Sequence, residues 1–217
     1  MKTVTEIYAE YKIMPFLQMH QLRVAAVGRM IAQNSNSKLD ERSIVIACLF
    51  HDMGNILKSD FTLFPEACEP EGLMYWEHEK ADFLKRYGPD VHHATSAIGH
   101  ELHLPLQAMK YMEQIGFSRL EYIRDHPSYE LKIVEYADCR VAPHGVVPML
   151  ERLEEGRIRY AKVRPDREGN KEVFDTLVSA ASEIERQISA QMRIKPDDIT
   201  EAALQSSIAE LKNFQLT

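Results

Sequence analysis

The 217 residues, 45% hydrophobic and 27% charged, suit one ordinary globular domain with room for an appendage. A formal net charge of -7 argues against a protein that grips nucleic-acid polymers through a basic surface, because phosphate contacts dominate that affinity. No window approaches about eighteen uncharged apolar residues, so no membrane span is expected. Three cysteines, Cys48, Cys68 and Cys139, form no CxxC pair, and "MKTVTEIYAEYK" at the start has no apolar signal core. The simplest expectation is a reduced, cytoplasmic protein.

Helical periodicity dominates and strand signals are weak, so the fold class is all-α. A short helix is expected over Val4–Ile13. Pro15 suits the first turn of a second, Pro15–Gln33, which the polar "NSNSK" ends. Asp40 can cap a third through "ERSIVIACLFHD", with Gly54 placed where a helix end favours a left-handed residue. After a loop containing Pro65 and Pro70, helices are expected near Glu77–Tyr87, Pro89–Leu104 and Leu106–Ile115. Pro127 opens another over "SYELKIVEYADCRV", broken by Pro143 and Gly145, and one more covers Val147–Arg157. "VRPDREGNK" (Val163–Lys171) is the linker candidate, dividing a core at 1–162 from a two-helix hairpin at 171–217. The first hairpin helix carries Phe174, Leu177, Ala181, Ile184 and Ile188 on one face. The second, with a capping box from Asp198 to Glu201, carries Ile199, Ala203, Leu204, Ile208 and Leu211. The hairpin reads as a packing arm or homodimer contact, with a substrate lid as the other reading.

Three of these helices bury a charge. Phe16, Leu17, His20, Val24, Val27 and Ile31 share a face, which puts His20 in an apolar stripe. Ile44, Ala47 and Cys48 lead to His51 on one face; Asp52 lies about 100° further round, but the helix is ending there, so both can approach one site. Leu131 and Val134 share a face with Asp138. A lone core histidine is usually just hydrogen-bonded, and a lone aspartate at a helix end is usually a cap or an ion pair. Together, buried imidazoles and carboxylates reinforce one another, because a metal ion gives them a common partner and offsets their desolvation. The mixed nitrogen and oxygen set suits Mn, Fe, Co, Ni, Zn or Mg and does not choose among them.

The order His20, then His51-Asp52, then Asp138 resembles the HD-domain metal-dependent phosphohydrolase superfamily. "HDMGN" looks like HD-[IL]-G-[KR], "VEYADCRV" like the family's ADR-type helix, and "HQLRVAAVG" like its first ligand helix, over about Phe16 to Tyr160. The resemblance implies a helical bundle with His20, His51, Asp52 and Asp138 as ligands of a divalent ion. Members with two ions add histidines: "HEKADFLKRYG" and "SAIGHEL" resemble the segments that supply them and nominate His78 and His100, with His92, His93 and His103 nearby. Asp52 would then bridge two ions, and Asp52 and His78 would serve catalysis as well as ligation. Asn55 stands where many relatives carry Lys or Arg; Arg23, Lys58 and Arg140 are the cations that could meet substrate phosphate instead, surface ion pairing being their other role. Glu77 and Glu101 are candidate proton carriers.

The implied activity is hydrolysis of a phosphate ester, a nucleotide or other small phosphorylated metabolite, by metal-activated water. Two other classes fit the same residues. One is a di-iron oxygenase of the HD fold. The other is a non-catalytic nucleotide-binding regulatory module, which the complete ligand set argues against.

Overall fold

Thr3 starts the first helix with a reciprocal cap. Its hydroxyl accepts from the Glu6 amide, and the Glu6 carboxylate accepts from the Thr3 amide at 2.7 Å. The computed structural model describes residues 2–62, 65–161 and 171–216. Among these the α-helices are α1 (Val4–Glu10), α2 (Pro15–Gln33), α3 (Glu41–Phe50), α4 (Leu73–Tyr87), α5 (Val91–Glu101), α6 (Leu106–Gln114), α7 (Leu120–Asp125), α8 (Tyr129–Asp138), α9 (Met149–Ala161), α10 (Lys171–Ser189) and α11 (Glu201–Leu211). A hairpin of β1 (Val141–Ala142) and β2 (Gly145–Val146) is the one described sheet. The class is all-α, as the periodicity implies. The linker expected at Val163–Lys171 lies, apart from Lys171, outside the described residues.

The core is built around α3. Asp40 caps it by accepting from the Ser43 amide and hydroxyl, and every residue from Ser43 to Phe50 is buried. A helix apolar on all sides belongs inside a bundle, and α2, α6 and α8 pack around this one. Gly28 lets α2 come close: a Cβ there would sit 3.0 Å from Cys48 Sγ and 3.1 Å from Ile44. The carbonyls left open at the end of α3 are taken up locally. The Tyr8 hydroxyl donates to the Leu49 carbonyl at 2.6 Å, and the His51 ring meets the Cys48 carbonyl at 2.9 Å. All three cysteines are buried and unbridged. No described helix is long and apolar enough to cross a membrane.

Several expected boundaries shift. α5 begins at Val91, where Asp90 caps it by accepting from the His93 amide, rather than at Pro89. α8 stops at Asp138 rather than running on to Val141, because the next residues leave the helix for the β1–β2 hairpin. α11 is capped by Thr200, not Asp198, whose carboxylate instead accepts from the Lys195 amide. Phe16, assigned to the apolar stripe of α2, is 47% exposed. The C-terminal helices share the core: Leu177, Ile184, Ile188, Leu204, Ile208 and Leu211 are buried, and the Val4 amide donates to the Phe214 carbonyl at 2.9 Å.

Candidate metal centre

Four residues from three elements meet at one end of α3. His20 comes from α2, His51 from the C-cap of α3, Asp52 from the turn that follows, and Asp138 is the last residue of α8. His20 Nε2 lies 3.0 Å from Asp138 Oδ1 and 3.7 Å from Asp52 Oδ2. His51 Nε2 lies 3.6 Å and 3.7 Å from the same two oxygens. The imidazole centroids are 5.6 Å apart. One donor atom each from His20, His51 and Asp52 falls within a mutual 4.8 Å. Nitrogen and oxygen donors about 2.1 Å from a common ion stand about 3 Å from each other, so this set needs little adjustment to close on one.

The His51 side chain is 4% exposed. A carbonyl oxygen only accepts, so its contact with Nδ1 requires Nδ1–H and leaves Nε2 for the cluster. Nε2 is buried and has no hydrogen-bond partner. That orphaned atom, between two carboxylates and a second imidazole, fits a divalent cation.

Electrostatics agree with the geometry. Burial alone would lower the His51 pKa, but the Asp52 and Asp138 carboxylates and the Cys48 carbonyl outweigh it and raise it to about 9. Burial pushes Asp52 and Asp138 upward, yet neighbouring charges hold both below the usual carboxylate range. For Asp52 these are His51, Lys58 and His20; for Asp138, held well below, they are His20 and His51. In the metal-free protein the His51 proton therefore stands in for the cation. Two opposite pH trends follow. A raised folded-state pKa gives stability that is full below the unfolded value near 6.5 and is lost as pH climbs through about 9, so metal-free protein should melt lower at high pH. Metal must displace that same proton, so apparent affinity should rise about tenfold per pH unit up to about 9. Thermal melts and calorimetric Mn²⁺ titrations at several pH values check both trends; an affinity independent of pH would remove His51 from the ligand set.

The HD turn is clamped from both sides. The Asp52 amide donates to Gln21 Oε1 at 3.3 Å, and the Gly54 amide donates to Thr95 Oγ1 of α5 at 3.0 Å. Gly54 was expected as a left-handed helix end, but its φ is -87°. Glycine is needed there for close approach, since a Cβ would meet the Val91 carbonyl at 2.5 Å and Ala94 Cβ at 2.9 Å. Gln21 and Thr95 were not singled out from the sequence. Gln21 had a signal: it lies in the stripe of Leu17, Val24 and Gly28, a polar residue on a buried face.

A family model described as the HD domain matches residues 18–138, starting two residues before His20 and ending on Asp138. The chain belongs to the HD-domain family. That places it in the HD metal-dependent phosphohydrolase superfamily, whose domains bind divalent metals, and the His20, His51 and Asp52 group can hold such an ion. No curated protein and no solved structure matches the chain.

Of the other expected site residues of this HD domain, His78 and His100 fall elsewhere. His78 is 73% exposed on α4, 3.8 Å from Asp82 one turn on, and His100 is exposed near the end of α5. Neither joins the group of donors, and the described residues gather donors for one ion. Glu101 is occupied by Arg86 and by the Tyr11 and Tyr87 hydroxyls. Arg23, one turn beyond His20, is held by Glu201 of α11 at 3.0 Å. Arg140 requires correction as a substrate contact. It is 3% exposed and its guanidinium donates to the Val147, Pro196 and Ile199 carbonyls and the Tyr136 hydroxyl, so most of its N–H donors are spent on structure. Lys58 is exposed on the 3-10 turn Asn55–Lys58, close enough for its charge to lower the Asp52 pKa.

Proposed function

We propose that this HD domain hydrolyses phosphate esters of nucleotides or other small phosphorylated metabolites, using one divalent ion held by His20, His51, Asp52 and Asp138. The observation that carries the reading is the orphaned His51 Nε2, facing two carboxylates that stay ionised. When bound, such an ion lowers the pKa of a water and withdraws charge from phosphoryl oxygens. The chain supplies the rest. The Cys48 carbonyl fixes the His51 ring and Gln21 and Thr95 fix the backbone of the HD turn, and the Asp52 and Asp138 carboxylates would hold the cation with the two imidazoles. Lys58 offers an exposed ammonium near Asp52 for a substrate phosphate, in the role that Asn55, 7% exposed, does not fill.

The test is metal-depleted protein reloaded in turn with Mn²⁺, Fe²⁺, Co²⁺, Ni²⁺, Zn²⁺ and Mg²⁺. Each form is assayed on nucleoside mono-, di- and triphosphates, cyclic nucleotides and generic phosphate esters, with and without O₂. Metal-dependent hydrolysis that continues under nitrogen is expected. Turnover that stops without O₂ would point to the oxygenase chemistry, and tight nucleotide binding without turnover to a regulatory module. On the substrate found, Lys58→Ala should raise KM about fivefold with little change in kcat, the mark of a contact made equally in ground and transition states. An unchanged KM would remove Lys58 from the phosphate site.

A further inference from the structure

Four buried side-chain polar atoms have no hydrogen-bond partner among the described residues: Gln21 Nε2, His51 Nε2, Asn55 Oδ1 and Ser207 Oγ. Three belong to residues at or next to the ligands, and His51 Nε2 is accounted for by an ion. Buried amide donors are almost always satisfied, because leaving one open is costly. Gln21 is fully buried, adjacent to His20, and its Oε1 accepts the Asp52 amide. Nε2 is bonded to the same carbon as Oε1, so it too lies at the HD turn. The carboxamide joins α2, which carries His20, to the backbone of a ligand on another element, and it keeps two N–H donors in reserve.

We propose that Gln21 is a positioning residue of the centre: Oε1 fixes Asp52 against α2, and Nε2 donates to an oxygen of the phosphoryl group bound there. The proposal rests on the phosphohydrolase reading of the site. An acceptor oxygen completes Gln21 as the ion completes His51. An apolar residue in this stripe would pack equally well but could do neither.

The experiment compares wild type with Gln21→Met, of similar length without hydrogen-bonding groups, and Gln21→Glu, which keeps an acceptor for the Asp52 amide. Mn²⁺ affinity is measured by calorimetry, inorganic phosphate affinity at saturating Mn²⁺, and melting temperature without metal. In Gln21→Met, Mn²⁺ affinity should fall about tenfold, as for other lost partners of a ligand. Phosphate affinity should fall about tenfold as well, while the metal-free melting temperature holds, because the lost Asp52 contact is offset by removal of an unpartnered donor. Gln21→Glu should bind Mn²⁺ more tightly than Gln21→Met. Unchanged Mn²⁺ and phosphate affinities in Gln21→Met, or a lower metal-free melting temperature with both affinities intact, would overturn the role of Gln21 and leave the site reading standing. Wild type that binds no Mn²⁺ would overturn both.

Discussion

His51→Ala and Asp138→Ala should each weaken Mn²⁺ binding by at least about a hundredfold, since losing even an outer partner of a ligand costs about 10- to 100-fold. Hydrolysis should fall with the bound metal. The two variants act from opposite sides. Asp138→Ala removes the carboxylate oxygen 3.0 Å from His20 Nε2 and 3.6 Å from His51 Nε2, and so the charge that draws the imidazoles together. His51→Ala removes the one ring whose orientation is fixed by a backbone carbonyl, and it leaves Asp52 and Asp138 to repel each other without a cation between them. Circular dichroism confirms folding, and elemental analysis after dialysis gives metal per chain. Full metal content in both folded variants would show that the ion lies elsewhere.

Arg140→Leu should lower stability by about 3 kcal/mol, at the upper end for a single substitution. The guanidinium joins the end of α8 and the hairpin to a distant segment: it donates to the Tyr136 hydroxyl of α8, to the Val147 carbonyl after the hairpin, and to the Pro196 and Ile199 carbonyls 56 and 59 residues on, before α11. Tyr136 in turn donates to Glu185 of α10 at 2.6 Å. Leucine fills part of the volume and leaves those buried acceptors unsatisfied. Total stability is typically about 5–15 kcal/mol, so the loss should show as a large drop in the urea midpoint. Metal binding by the molecules that remain folded should be retained. A near wild-type midpoint with a raised KM would return Arg140 to the substrate site.

The cluster was legible in the sequence because its members violate a pattern. His20, His51 and Asp138 each interrupt an apolar stripe at helical spacing. Asp52 could be added because α3 ends at that point and the chain is free to turn it inward. The exposed histidines were harder to sort. His93, His100 and His103 share a helical face, but a face does not say whether anything covers it, and all three are exposed. Arg140 was a candidate phosphate contact only as a cation that could stand in for the Lys or Arg missing at Asn55. Its acceptors at Pro196 and Ile199 lie 56 and 59 residues away, in the link between α10 and α11, whose place beside Arg140 no local spacing encodes. The β1–β2 hairpin escaped notice because strands of two residues carry no periodicity, and its turn is Pro143-His144 rather than a glycine pair. Gly54 was expected for its backbone freedom, yet it is needed for the lack of a side chain against α5, a contact set 37 residues or more downstream at Val91 and Ala94.

The most direct measurement is a crystal structure of the Mn²⁺-soaked protein with anomalous scattering data. A single strong anomalous peak within about 2.0–2.3 Å of His20 Nε2, His51 Nε2 and the carboxylates of Asp52 and Asp138 is the expected result. A Mn²⁺ peak on other side chains, with these four residues carrying none, would contradict it.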